Sequence, residues 1–206
     1  MNKNNETKEN IIHQALLLIK ERGYDQVTIN DICDVSNISK NTFYYYFKSK
    51  EEVLMKFFQV PYDLTIQRMT DIIAMESPLE KFFHVNEPRI EHFQSLGQEI
   101  LKRIMIINLQ RNVGTFKTHK GKETFFRLEL ELLSKAQELK EIRNQSSPID
   151  LLHSIKMQSM GAVLAWAVSG EQFDLMQRTR MMIEVILDVR EDLRNTKKEE
   201  HICPKI

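Results

Sequence analysis

At 206 residues, with 42% apolar and 28% charged side chains and only 6 Gly and 5 Pro, the chain has the make-up of one or two soluble, helix-rich globular domains. No uncharged apolar run reaches the roughly 18 residues of a membrane span, the polar residues 1–10 lack the apolar stretch of a secretory signal, and Cys33 and Cys203 are too few for a disulfide framework or metal cluster, so a cytoplasmic protein without metal or cofactor is expected. The 29 basic and 29 acidic residues cancel, which excludes a non-specific polyanion binder and leaves any DNA affinity to a local patch.

The stretch 7–22 places Ile12, Ala15, Leu16 and Ile19 at the i, i+3, i+4, i+7 spacing of an amphipathic helix. It stops at Gly23, whose freedom at positive φ suits a helix end, with Tyr24 placed for the accompanying apolar contact. Thr28 and Asp31 frame the start of a short second helix, where Val27 can staple against Ile32 and Ile29, Ile32 and Cys33 share a face. Residues 35–39 read as a tight turn, because Asn37 tolerates positive φ and Ser39 is a good N-cap. In the third helix Phe43 and Phe47, four apart, anchor to the core and leave Lys40, Asn41, Tyr44 and Tyr45 on the opposite surface. From 35 to 50 the chain carries Lys40, Lys48 and Lys50 and no acidic residue. Ser49 and Glu52 form a further capping box that opens a fourth helix, with Lys50 in its first turn.

Two short helices joined by a tight turn, the second basic and polar at its N-terminal end, are how a recognition helix reaches the major groove. Lys40 and Asn41 are placed for base edges; Thr28, Ser39, the tyrosine hydroxyls and Lys50 are placed for phosphates. The bland alternative is a helical hairpin whose adjacent tyrosines only pack. Caps, turn, apolar anchors and an acid-free surface within one window favour the DNA reading.

Residues 8–55 also resemble the DNA-binding domain of the TetR/AcrR regulators, through Gly23 and Tyr24, the run Thr28, Ile29, Asn30, Asp31, Ile32, and the segment 38–51. The sequence departs from that pattern at Cys33, Ser36 and Asn37, where family members usually carry Ala, Ala and Gly. The resemblance implies base and phosphate contacts from Lys40, Asn41, Thr42, Tyr44 and Tyr45, and phosphate contacts from Thr28, Ser39, Tyr46 and Lys50. It implies an all-α fold in which an N-terminal three-helix helix-turn-helix DNA-binding domain, 1–52, precedes a C-terminal helical ligand-binding and dimerisation domain, 53–195, and a polar tail, 196–206.

Helical periodicity continues through Leu54, Phe57, Met69, Ile72 and Ile73, with Pro61 expected to kink or break it. Ser77, Pro78 and Glu80 open another helix that should weaken near Pro88. Residues 97–109 read as a helix, 114–123 as a loop or helix entry, and 124–143 as a helix again. The run 160–168 is apolar all round, so it is covered on more than one side, and the helix from 172 to about 193 carries a wide apolar stripe. An unusually apolar core helix would look the same, but a helix-turn-helix gives a homodimer a reason, since two recognition helices must stand about 34 Å apart. The candidate interface is Ile155, Ser159, Ala162, Val163, Thr179, Ile183 and Ile186.

The Phe and Met side chains of the middle helices are individually core-like. Together they suit the cavity the resemblance implies for an unidentified small, mainly apolar effector: Phe82, Met105 and Phe126 as walls, Tyr62, Asn108, Gln158 and Trp166 as polar handles. An all-helical enzyme is the competing class. The sequence has no His-Glu-x-x-His motif, no Gly-x-Ser-x-Gly elbow and no phosphate loop at Gly121. His84, Glu87, Glu91 and His92 fit a solvated face better than a metal site, because Pro88 interrupts their spacing. The expected function is that of a repressor that binds a palindromic operator as a homodimer, is released by its effector, and has neither enzymatic activity nor membrane association.

Overall fold

The computed structural model describes residues 3–58, 65–111, 122–169 and 173–195. Among them the chain is all-α, with ten α-helices, two 3-10 turns and a single antiparallel bridge between Ile142 and Val189. Pro61, Tyr62, most of the expected loop 114–123, and the tail with Cys203 lie outside the described residues. The chain divides into two compact units. One gathers 1–61, 92–118 and 167–169; the other gathers 62–91, 119–166 and 170–206.

In the first unit α1 (Lys3–Arg22) packs on α2 (Ile29–Ser36) and α4 (Lys50–Phe57), with α3 (Lys40–Tyr46) against α2. The buried side of α1 is Ile11, Ala15, Leu18 and Ile19, while Ile12 and Leu16 are only half-buried. The expected stripe is therefore turned by part of a helical step, because a run of six apolar residues from Ala15 to Lys20's neighbour Ile19 and from Ile11 to Ile12 permits either phase. Gly23 takes φ 82°, a conformation costly to any side-chain-bearing residue, and its N–H caps the carbonyl of Ile19 at 2.9 Å. Helix α7 (Gln98–Arg111) belongs to the same unit and packs on α4. Ties to the N-terminal helices run from His92 Nε2 to the Phe57 carbonyl (2.6 Å), from Lys20 Nζ to the Ser95 carbonyl (2.5 Å) and between the rings of Phe58 and Phe93.

The second unit contains α5 (Ile66–Ala74), most of α6 (Pro78–Leu96), α8 (Lys122–Glu138), most of α9 (Pro148–Val168) and α10 (Leu175–Leu187). Leu79 and Phe82 of α6, Leu133 of α8, Leu152 of α9 and Leu187 of α10 meet fully buried in its core. Helix α6 passes through Pro88 without breaking. Proline removes the bond that residue 88 would give to the carbonyl of His84, and Arg68 Nη1 of α5 reaches that same carbonyl at 3.4 Å. Arg68 also pairs with Glu87 and Glu91, so these carboxylates serve an ion-pair cluster. The last two long helices end earlier than expected. Lys140 and Asp188 adopt positive φ just past α8 and α10, and the segments beyond them pair through Arg143 N–H to Asp188 O (3.0 Å) and Arg190 N–H to Glu141 O (3.0 Å).

Candidate nucleic-acid interface

Local chemistry sets up the outward face of α3. Thr28 and Asp31 form the full reciprocal capping box of α2, and the paired hydroxyl and amide hold the Asp31 carboxyl below its usual range. Val27 and Ile32 beneath it are buried. Helix α2 ends at Asn37 in the left-handed conformation, φ 51° and ψ 51°, with its N–H returned to Asp34 and Cys33 carbonyls. This is the turn Asn37 was expected to make without glycine. Ser39 caps α3 by accepting from the Thr42 amide at 3.1 Å, and its hydroxyl also meets the Thr42 hydroxyl at 2.9 Å.

Phe43 and Phe47 are buried beneath α3, 5.9 Å apart. That anchoring turns Lys40, Asn41, Tyr44 and Tyr45 outward, with Tyr44 54% and Tyr45 72% exposed. Large aromatic rings at such exposure are left without the burial that normally rewards them, and Lys40 has no ion pair among the described residues. The seven residues of α3 span about 10 Å at 1.5 Å each, a length that fits a major groove about 12 Å wide.

Three expected contact residues have partners within the chain. Tyr46 is half-buried and donates its hydroxyl to Asn4 Oδ1 of α1 at 2.7 Å. Thr42 shares its hydroxyl with Ser39. Lys50 reaches inward, donating from Nζ to the carbonyls of Tyr24 (2.7 Å) and Val27 (2.6 Å) and standing 4.0 Å from the centre of the Tyr24 ring. Burial holds its ammonium pKa below the usual lysine range. The Arg103 guanidinium of α7 lies on the same ring at 4.8 Å and pairs with Asp25. Burial, reinforced by Glu51, pushes the Tyr24 hydroxyl up to about 12. An ammonium has three donors, so Lys50 keeps one for an outside anion. Tyr24 and Arg103 are participants that sequence reading missed; the aromatic residue after Gly23 was the available signal for the first, and nothing in local spacing marks the second.

The expected effector residues are not assembled in one place. Phe82 lies in the core of the second unit with Phe126 packed against that core, and Gln158 and Trp166 are half-buried in that unit. Met105 and Asn108 lie on α7 in the first unit, where Asn108 Nδ2 donates to the Ile104 carbonyl at 3.0 Å. Of the expected interface residues, Ile155, Ser159, Ala162, Val163, Thr179 and Ile183 are buried within this single chain and Ile186 is half-buried. A side chain already covered by its own chain offers a partner no area. The apolar residues that α9 and α10 leave exposed are Met157 and Leu164 on one and Met182 and Val185 on the other, with Gln158 of α9 donating to the Met182 sulfur of α10.

Among the described residues no helix is long and apolar enough to cross a membrane, and no three His, Cys, Asp or Glu side chains are grouped to hold a metal ion. Residues 11–55 match the family described as bacterial regulatory proteins, tetR family. The HTH-type transcriptional regulator YuxN of Bacillus subtilis is 37% identical over 67 residues, 32% of this chain and 23% of that protein. IcaR of Staphylococcus epidermidis, the negative transcriptional regulator of the biofilm operon icaADBC, is 43% identical over 49 residues, 24% of this chain and 26% of that protein. The matches thus span about a quarter of the length of these two relatives. Among solved structures, FadR of Thermus thermophilus, a TetR-family transcriptional repressor in complex with lauroyl-CoA, superposes with a TM-score of 0.61 at 21% identity, covering 89% of this chain and 96% of that one. The chain accordingly carries the N-terminal domain of the bacterial regulatory proteins of the tetR family, at residues 11–55, and folds as a TetR-family regulator does.

Proposed function

We propose that the protein is a transcriptional repressor that binds a palindromic operator as a homodimer and is released when a small, mainly apolar effector binds its C-terminal part. One observation carries the DNA reading: α3, fixed by the Ser39 cap and the Phe43 and Phe47 anchors, turns Lys40, Asn41, Tyr44 and Tyr45 outward with no acidic residue among them. Lys and Asn side chains match guanine and adenine edges respectively. Thr28, Ser39, Thr42, Tyr46 and Lys50 surround them as phosphate contacts that set register without reading sequence. Residues 1–52 form the reading part and 53–195 the effector-binding and dimerising part.

The dimer follows from the operator's geometry and from the exposed apolar face of Met157, Leu164, Met182 and Val185. IcaR, similar over the DNA-binding region, is a negative regulator, and this supports repression. FadR, alike in fold, holds an acyl-CoA, which supports an effector as such and leaves its identity to this chain's own residues. Release requires that the effector prefer a conformation whose recognition helices misfit the operator.

Selection of bound DNA from a random pool followed by footprinting is the test. The expected result is a symmetric protected site with half-sites about 10 base pairs apart, whose preferred sequence changes on Lys40→Ala or Asn41→Ala. Protection without any sequence preference, or binding by a monomer to a single half-site, would overturn the reading.

A further inference from the structure

We propose that a cleft between α6, α9 and α10 is the effector site and that it takes a small carboxylate on an apolar body; this rests on the effector-responsive reading above and gives it a place and a chemical class. All the residues of the cleft belong to the second unit. Its apolar wall is Phe83, Ile90 and Ile183, all buried, with half-buried Met176. The empty volume, open mouth included, is about 330 Å³, at the lower end of the roughly 300–1,000 Å³ of small-molecule sites. The occupant is correspondingly small.

Two hydroxyl groups line the same cleft, Ser159 Oγ from α9 and Thr179 Oγ1 from α10. Both residues are 3% exposed, and neither oxygen has a hydrogen-bond partner. Buried hydroxyls are seldom left orphaned, because the hydration they lose is then not replaced. Two of them, brought from separate helices to one cleft, call for a polar atom from outside the chain.

Charge decides which polar atom. Arg180 in the wall is already held between Glu80 (2.6 Å) and Glu184 (3.2 Å), with its guanidinium 4.0 Å from the Phe83 ring centre. Glu87 is shared with Arg68 at 3.6 Å. Arg89 has no carboxylate partner among the described residues. A cation and two hydroxyl donors select an anionic acceptor, and the four apolar residues select hydrocarbon behind it. A cationic ligand would find no acid in the wall that is not already paired.

Titration calorimetry on the full chain with hexanoate, hexanamide and hexylamine tests this. Hexanoate is expected to bind saturably, hexanamide at least tenfold more weakly, and hexylamine not at all. The variant Ser159→Ala/Thr179→Val is expected to keep its circular dichroism with an equal or higher Tm, since it removes unsatisfied groups, and to bind hexanoate at least tenfold more weakly. Arg89→Gln, a half-exposed position that spares the core, is expected to erase the preference for carboxylate over amide. Equal binding to the double variant, no binding of hexanoate because the cleft holds water only, or tighter binding of hexylamine each overturns the proposal. Operator release is measured separately. Hexanoate bound through both hydroxyls without releasing DNA keeps the site and removes its effector role, whereas release by another compound while hexanoate fails to bind removes the site and keeps the effector reading.

Discussion

Lys50 carries three N–H bonds, and two of them close the loop between α1 and α2 by reaching the carbonyls of Tyr24 and Val27. Hydrogen bonds from a charged donor contribute about 1.5–3 kcal/mol each before the donor's own desolvation is set against them. Lys50→Ala is therefore expected to lower the unfolding free energy by about 2 kcal/mol as well as to weaken operator binding at every sequence, and a urea titration reads the first effect without DNA. An unchanged urea midpoint would mean the inward contacts contribute nothing. The spacing of caps and lysines announced Lys50 as part of the site, yet not its inward partners. Backbone carbonyls are the same at every residue, so their positions are written only in the folded path of the chain. Asn37 is the opposite case: its side chain is one of the few that tolerate positive φ, so the turn was legible from residue type alone.

At the scale of elements, α3 has only seven residues, so its cap weighs heavily. Ser39→Ala is expected to cost about 1 kcal/mol, and hydrogen exchange at the Thr42 amide, the group that the Ser39 oxygen caps, should accelerate more than at Phe43. The tie between α6 and α4 carries a pH dependence. Burial holds the His92 imidazole below its ordinary value of 6.5, with the Phe57 carbonyl partly opposing the shift. The unfolded chain therefore takes up the proton first, so the contribution of this contact is intact above about 6.5 and is lost as pH falls from there through the folded-state value. The urea midpoint of the native protein is expected to drop between pH 7 and 5.5, and to drop less in His92→Gln, where the amide N–H can still donate to Phe57. Helices with polar punctuation, such as α2 and α3, were placed to within a residue by their caps. Helix α9 was found but not oriented, because 160–168 is apolar on every side and offers no phase. Pro88 was read as a weak point, and the carbonyl it strands is instead taken by Arg68, a side chain twenty residues upstream that periodicity cannot see.

At the scale of the whole molecule, assembly and stability can be separated by where a residue lies. Leu164→Glu and Val185→Lys change exposed positions, so each is expected to leave Tm nearly unchanged while weakening a homodimer at least about a hundredfold if those faces meet about a two-fold axis. Ile155→Glu and Ile183→Glu place an acid in the core and are expected to unfold the chain. Sedimentation at the mass of one 24.4 kDa chain, with a native circular dichroism spectrum, is the expected signature of the first pair alone. The division of the chain itself has a further consequence. Residues 92–118 share a unit with 1–61, and the Tyr24 ring lies against Lys50 on one contact and Arg103 on another. A gene fragment ending at residue 61 would be born without Phe93 and Arg103, leaving Phe58 and Tyr24 bare to water. Grafting this reading head onto a foreign sensor would therefore call for two separated stretches of sequence, and a swap of the first exon-sized block alone should yield an insoluble chimera.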